Sequence, residues 1–147
     1  MLMRVSQKAS YALRALIVLA QLEPTGRVVP TSELARREKI PAKFLEGILV
    51  ELRKAGMVRS QRGAEGGHRL ARAAARITIG EVWRAIDGPL SPAAGLDESG
   101  RRTLAGRGLQ TVWEEVEEAV AQVVDQLTLE EVLRRVEMRR GVVDFTI

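Results

Sequence analysis

Lys43 and Glu46 stand three residues apart in Ala42-Lys43-Phe44-Leu45-Glu46-Gly47, a spacing that puts an ammonium and a carboxylate on one face of a helix. Their chemistry suits the edges of base pairs: the amine donates to the O6 and N7 acceptors of guanine, and the carboxylate accepts from cytosine N4. Ala42 and Gly47 keep that face low in bulk. Arg62 opens the run Arg62-Gly63-Ala64-Glu65-Gly66-Gly67, and a cation at a glycine-rich tip suits the minor groove, whose negative potential attracts Arg. Catalysis has less to work with. The chain has no Cys and one His, His68, and no nucleophile stands with a base, so the residues do not describe an enzyme.

The surrounding sequence supplies the elements that must hold these residues. From Pro41 to Gly56, Leu45, Ile48, Leu49 and Leu52 form one apolar stripe, with Pro in the first turn and Gly after the end, which predicts a helix of about three to four turns. Lys43, Glu46, Gly47, Val50 and Arg53 occupy its other face, as expected of a helix entering a groove about 12 Å wide. Thr31 to Arg37 predicts a preceding helix, with Thr31 as the capping residue and Glu33 in the first turn. After the second helix, Met57 to Arg62 and His68 to Ala71 alternate on either side of the glycine cluster, as a β-hairpin does. A phosphate-cradling loop is the rival reading of these glycines, but no Lys-Ser/Thr pair follows them. Helix, turn, helix and hairpin in that order predict a mainly α winged helix-turn-helix fold that binds double-stranded DNA.

Gln7 to Leu22 predicts a first helix with Ala9, Ala12, Leu13, Leu16, Ile17 and Ala20 turned inward, and places Ser6 and Lys8 where they could touch phosphate. The candidate DNA-binding residues are therefore Ser6, Lys8, Thr31, Ala42, Lys43, Glu46, Gly47, Arg59, Arg62, His68 and Arg69. Charge follows the same division. Residues 1–76 carry 15 Lys/Arg against 6 Asp/Glu, whereas residues 77–147 carry 8 against 13, so a basic DNA-binding domain precedes an acidic C-terminal region. A winged helix used only as a protein-interaction module is the alternative, because fold alone does not establish function.

The acidic region carries a helix signal of its own. Leu109, Trp113, Val116, Val120, Val123 and Leu127 are spaced 4, 3, 4, 3 and 4, the seam of a heptad. Either the helix packs on its own domain or two copies of the chain meet along it. Thr78-Ile79-Gly80-Glu81 reads as a capping box and Gly88-Pro89 as a stop, giving a short connecting helix; Thr128-Leu129-Glu130-Glu131 caps another after the seam. Between them, Pro89 to Gly100 is rich in Pro, Gly, Ala and Ser and reads as an irregular loop, extending to about residue 107. Asp97 and Glu98 in it are too few oxygens for a hard cation, so no metal is expected.

The chain resembles the family of bacterial winged-helix repressors that includes IscR, NsrR, RirA and CymR, from Met3 to about Leu133. The resemblance lies in Ser6-Gln7-Lys8-Ala9-Ser10-Tyr11-Ala12-Leu13-Arg14-Ala15-Leu16, Ser32-Glu33-Leu34-Ala35, Phe44-Leu45-Glu46 and Leu52-Arg53-Lys54-Ala55-Gly56-Met57-Val58. Its most specific part is Arg62-Gly63-Ala64-Glu65-Gly66-Gly67-His68-Arg69-Leu70-Ala71, followed by Ile79-Gly80-Glu81-Val82 and Ala85-Ile86-Asp87-Gly88. It implies base reading by Lys43 and Glu46, a minor-groove role for Arg62, and a homodimer formed along the seam. His68 stands where the family commonly has Tyr. Several members sense iron, nitric oxide or redox state through a cluster held by three cysteines, and a chain without Cys cannot hold one that way. No cofactor is expected, and the residues name no small-molecule or protein effector. The absence of cysteines, of a signal pattern and of an apolar run of about 20 residues agrees with a cytoplasmic protein that has no membrane partner.

Overall fold

Helix α1 (Gln7–Leu22) starts where the Ser6 hydroxyl accepts the Ala9 amide at 2.9 Å, and it is the helix around which the domain is built. Ala9, Ala12, Ala15, Leu16 and Leu19 are buried along it, and the small alanines let neighbouring helices approach closely. The computed structural model describes residues 4–91 and 98–145, with side chains up to residue 141. Helices α2 (Thr31–Glu38) and α3 (Ala42–Lys54) follow, then an antiparallel hairpin of β1 (Val58–Gln61) and β2 (Gly67–Leu70). Helix α4 (Ile79–Asp87), the short α5 (Glu98–Arg102), the long α6 (Leu104–Val124) and α7 (Leu129–Phe145) complete the chain.

One aliphatic core includes Leu16, Leu34, Leu45, Ile48, Leu52 and Val58 of the DNA-binding half, and also Ile77, Val82 and Leu129. It therefore crosses the boundary near residue 76 at which the charge changes sign. The caps of the C-terminal half form as expected: Thr78 Oγ1 accepts the Glu81 amide and Thr128 Oγ1 the Glu131 amide, each at 3.1 Å. Those two segments also pair with each other, through Ile79 N to Leu127 O at 2.8 Å and Leu129 N to Ile77 O at 2.9 Å.

Three expectations need correction. Thr31 does not cap α2: Pro30, extended at φ −63° and ψ 151°, takes that position without a side-chain bond, and Thr31 is the first helical residue. The predicted irregular loop is shorter than its composition suggested, because α5 begins at Glu98 and α6 at Leu104, the latter capped by Thr103 Oγ1 accepting from Gly106 N at 2.9 Å. Its segment 92–97, which includes Asp97, lies outside the described residues. The seam of α6 is also not a single face. Val120, together with Val124, packs on a second cluster of Ala9, Trp83 and Leu90. Leu109, Val116 and Val123 face outward at 52%, 37% and 59% exposure, and Val112 joins them at 46%. Trp113 and Leu127 are half-buried.

Candidate nucleic-acid interface

Helix α3 buries Leu45, Ile48, Leu49 and Leu52 and turns Ala42, Lys43, Glu46, Gly47, Val50 and Arg53 to solvent. A Cβ at Gly47 would meet nothing within 4 Å, so packing does not explain the glycine, and its lack of a side chain leaves room for a ligand. Neither Lys43 nor Glu46 makes an ion pair or side-chain hydrogen bond among the described residues, which leaves both polar groups available. Phe44, 44% exposed, lies to one side of this face, edge-on to Tyr11 with ring centroids 5.8 Å apart. The Arg14 guanidinium lies over the same tyrosine ring, 5.4 Å from its centroid.

The hairpin pairs Val58 with Leu70, Arg59 with Arg69, Ser60 with His68 and Gln61 with Gly67. Arg59 and Arg69 are thus directly opposed and both exposed. Like charges so placed repel, and neither has an acidic partner among the described residues, so the pair suits an external anion such as a phosphate. Arg62 stands at the exposed tip beyond them. At the base of the hairpin, a Cβ on Gly67 would lie 2.6 Å from the Val29 carbonyl carbon, so only glycine fits there. Val29 and His68 exchange two backbone bonds of 2.8 Å at that point.

The other candidates from the sequence are committed within the protein. Ser6 caps α1, and its backbone and hydroxyl also bond the Asp87 carboxylate. Lys8 Nζ lies 2.7 Å from Glu51 Oε1, tying α1 to the flank of α3. Thr31 Oγ1 lies 2.8 Å from His68 Nε2, and Ser60 Oγ 2.8 Å from His68 Nδ1, so both nitrogens of the only His are occupied. Burial, followed by the Arg53 cation, holds the His68 imidazole below its usual pKa. Ser60, Glu51 and Asp87 were not foreseen, because each acts through a partner distant in sequence. Glu33 is held below the usual carboxylate range, chiefly by its hydrogen bond from Arg27, and Arg37 adds to this from the next turn.

The arrangement is a winged helix-turn-helix with a free polar face on its second helix and a cationic wing. Residues 5–135 match the profile of a family described as Rrf2, iron-dependent transcriptional regulator. The chain belongs to the Rrf2 family. An Rrf2 relative named as an HTH-type transcriptional regulator in Mycobacterium tuberculosis is 42% identical over 135 residues, covering 88% of this chain and 81% of that protein. The HTH-type regulator CymR of Bacillus subtilis is 35% identical over 133 residues, covering 88% of each. Among solved structures, that of CymR, titled the global cysteine regulator of B. subtilis, superposes with a TM-score of 0.73 at 31% identity, covering 92% of this chain and 98% of the other. IscR of T. potens gives 0.74 at 32%, covering 92% and 90%. The protein is a DNA-binding transcriptional regulator and not an enzyme.

Among the described residues, the iron in the Rrf2 family description finds no matching set of donors. It has no Cys, its single His is occupied on both nitrogens, and no group of three or more metal-ligating side chains occurs among the described residues. Among the same residues no helix is long and apolar enough to cross a membrane.

Proposed function

We propose that this Rrf2 regulator acts in the cytoplasm as a homodimeric repressor, binding a pseudo-palindromic operator and occluding it. The observation that carries the reading is the directly opposed Arg59 and Arg69 on the wing, without acidic partners among the described residues, next to a recognition helix whose Lys43 and Glu46 are equally free. Lys43 and Glu46 read base edges across Ala42 and Gly47, Arg59 and Arg69 hold phosphate, and Arg62 enters the minor groove. The second copy joins along the outward stripe of α6, Leu109, Val112, Val116 and Val123, since a row of exposed aliphatic residues at heptad spacing is what a partner helix covers. Two recognition helices then reach half-sites about 34 Å apart on one face of the duplex.

Footprinting on genomic fragments, including the region upstream of the gene itself, tests the reading. Paired protections one helical turn apart are expected. A protein that at low salt shifts every fragment equally, or none, would be an interaction module instead.

A further inference from the structure

His68 sits where the wing meets the helix-turn-helix. Its backbone makes the bridge to Val29, two residues before α2, and its ring extends from that bridge in two directions. Nε2 reaches Thr31 on the first turn of α2, and Nδ1 reaches Ser60 on the opposite strand of the hairpin, each at 2.8 Å. A neutral imidazole has one N–H and one lone pair, and a hydroxyl both donates and accepts, so either tautomer satisfies both bonds. Burial and the Arg53 cation favour that neutral form. With Val58 and Leu70 anchoring its base in the core, the hairpin keeps freedom to bend only beyond that pair, towards the tip. A side chain bonded on both sides of the bridge removes that freedom, which is the usual way a supporting residue fixes a binding group.

We infer that His68 is a positioning residue that pins the wing to the start of α2, so that Arg62 and the recognition helix are presented to DNA in one fixed relation. This rests on the reading of the wing as a DNA contact, and it replaces a direct contact by His68 itself. The gain is pre-organisation: with the wing already oriented, less motion has to be frozen when the duplex binds. The remaining exposed wing residues, Arg62 to Glu65, lie beyond the pin, so their placement depends on it.

Two measurements on the full-length dimer test this, with His68→Phe as the main variant because it keeps a ring of similar size and removes both bonds. The chain has no native Cys, so nitroxides can be placed cleanly through Glu65→Cys at the wing tip and Arg36→Cys on α2, diluted with unlabelled subunits. One narrow tip-to-α2 distance is expected in the parent protein and a broad distribution in His68→Phe. On the footprinted operator, Arg62→Ala should weaken binding about tenfold in the parent and less than about twofold in His68→Phe, because a loose wing has already lost that contact. An unchanged narrow distance, or an equal loss from Arg62→Ala in both backgrounds, overturns the inference. If Arg62→Ala is harmless in the parent, the wing reading fails by itself and the spin distances still decide the pin. Should His68→Phe fail to fold, Thr31→Val and Ser60→Ala each remove one partner and carry the same two measurements.

Discussion

Arg84 donates two hydrogen bonds to Asp125, at 2.6 and 2.9 Å, and so ties α4 to the residue that ends α6. The bidentate geometry holds the Asp125 carboxyl below its ordinary pKa of 3.8, so the pair contributes stability above that pH and loses it as pH falls through the lowered value. Both side chains are more than a third exposed, and solvent limits the contribution to below about 1 kcal/mol. Gly80 lies beneath the pair, where a Cβ would come within 1.9 Å of Asp125 Oδ1. Gly80→Ala should therefore be close to neutral, with the helix-forming gain offset by loss of the pair. In an Asp125→Ala background it should stabilise by up to about 1 kcal/mol. Equal effects in both backgrounds, read from urea midpoints, would refute the coupling.

Glu46→Ala should relax base preference at one position per half-site, with discrimination falling by roughly 1 to 3 kcal/mol. Selection from a randomised operator library measures this. A binding logo identical to that of the parent would remove Glu46 from direct readout.

The wing should act mainly through charge. Arg59→Ala, Arg62→Ala and Arg69→Ala should each make the log–log salt dependence of operator binding shallower by about 1 unit, without changing the preferred sequence much. A salt titration in which all three slopes match the parent would mean that the wing does not approach the duplex.

The two faces of α6 make opposite predictions for neighbouring valines. Val116→Asp should leave a folded subunit that no longer associates, and operator affinity should drop on the order of 100-fold as the second half-site is lost. Val120→Asp puts a carboxylate against Trp83 and Leu90, and should destabilise the subunit itself by about 2 to 4 kcal/mol. Ultracentrifugation and thermal melts of the pair are decisive: a dissociated, well-folded Val120→Asp protein would reverse the assignment of faces.

His68 gives a pH signature. Its pKa in the folded protein lies below the usual 6.5, so the unfolded chain takes up the proton first as pH falls. Stability is complete above about pH 6.5 and declines as pH drops towards the folded-state value. In His68→Gln this decline should disappear, leaving only the carboxylate titrations at lower pH. A parent protein with flat stability through that window would show that the imidazole is not held neutral.

Local pattern accounts for most of the fold. Leu45, Ile48, Leu49 and Leu52 identify α3, and Thr78 and Thr128 cap the helices that they were expected to cap. Long-range pairing accounts for much of what was missed, the local caps at Pro30 and Thr103 being exceptions. Nothing within a few residues of Thr31 shows that its hydroxyl is taken by His68, 37 residues away. On α6 the sequence contains two overlapping stripes that share Leu109, Val116 and Val123. One adds Trp113, Val120 and Leu127, and the other adds Val112 and Ala119. Both have heptad spacing, so periodicity cannot choose between them; the choice depends on Trp83 and Leu90, which cover Val120. The candidate site follows the same rule, with the α3 face and the wing charges readable directly and the commitments of Ser6, Lys8 and His68 visible only in three dimensions.

Because one backbone carries both faces of α6, the helix works as a shaft. Any repacking of Val120 over Trp83 that rolls it by about 20° sweeps Leu109 and Val116 through the same angle, and at a side-chain radius of about 5 to 6 Å that is roughly 2 Å of travel on the far side. Packed interfaces change between discrete arrangements instead of stretching. In the proposed dimer, a disturbance beside Trp83 would therefore be geared directly to the separation and tilt of the two reading heads.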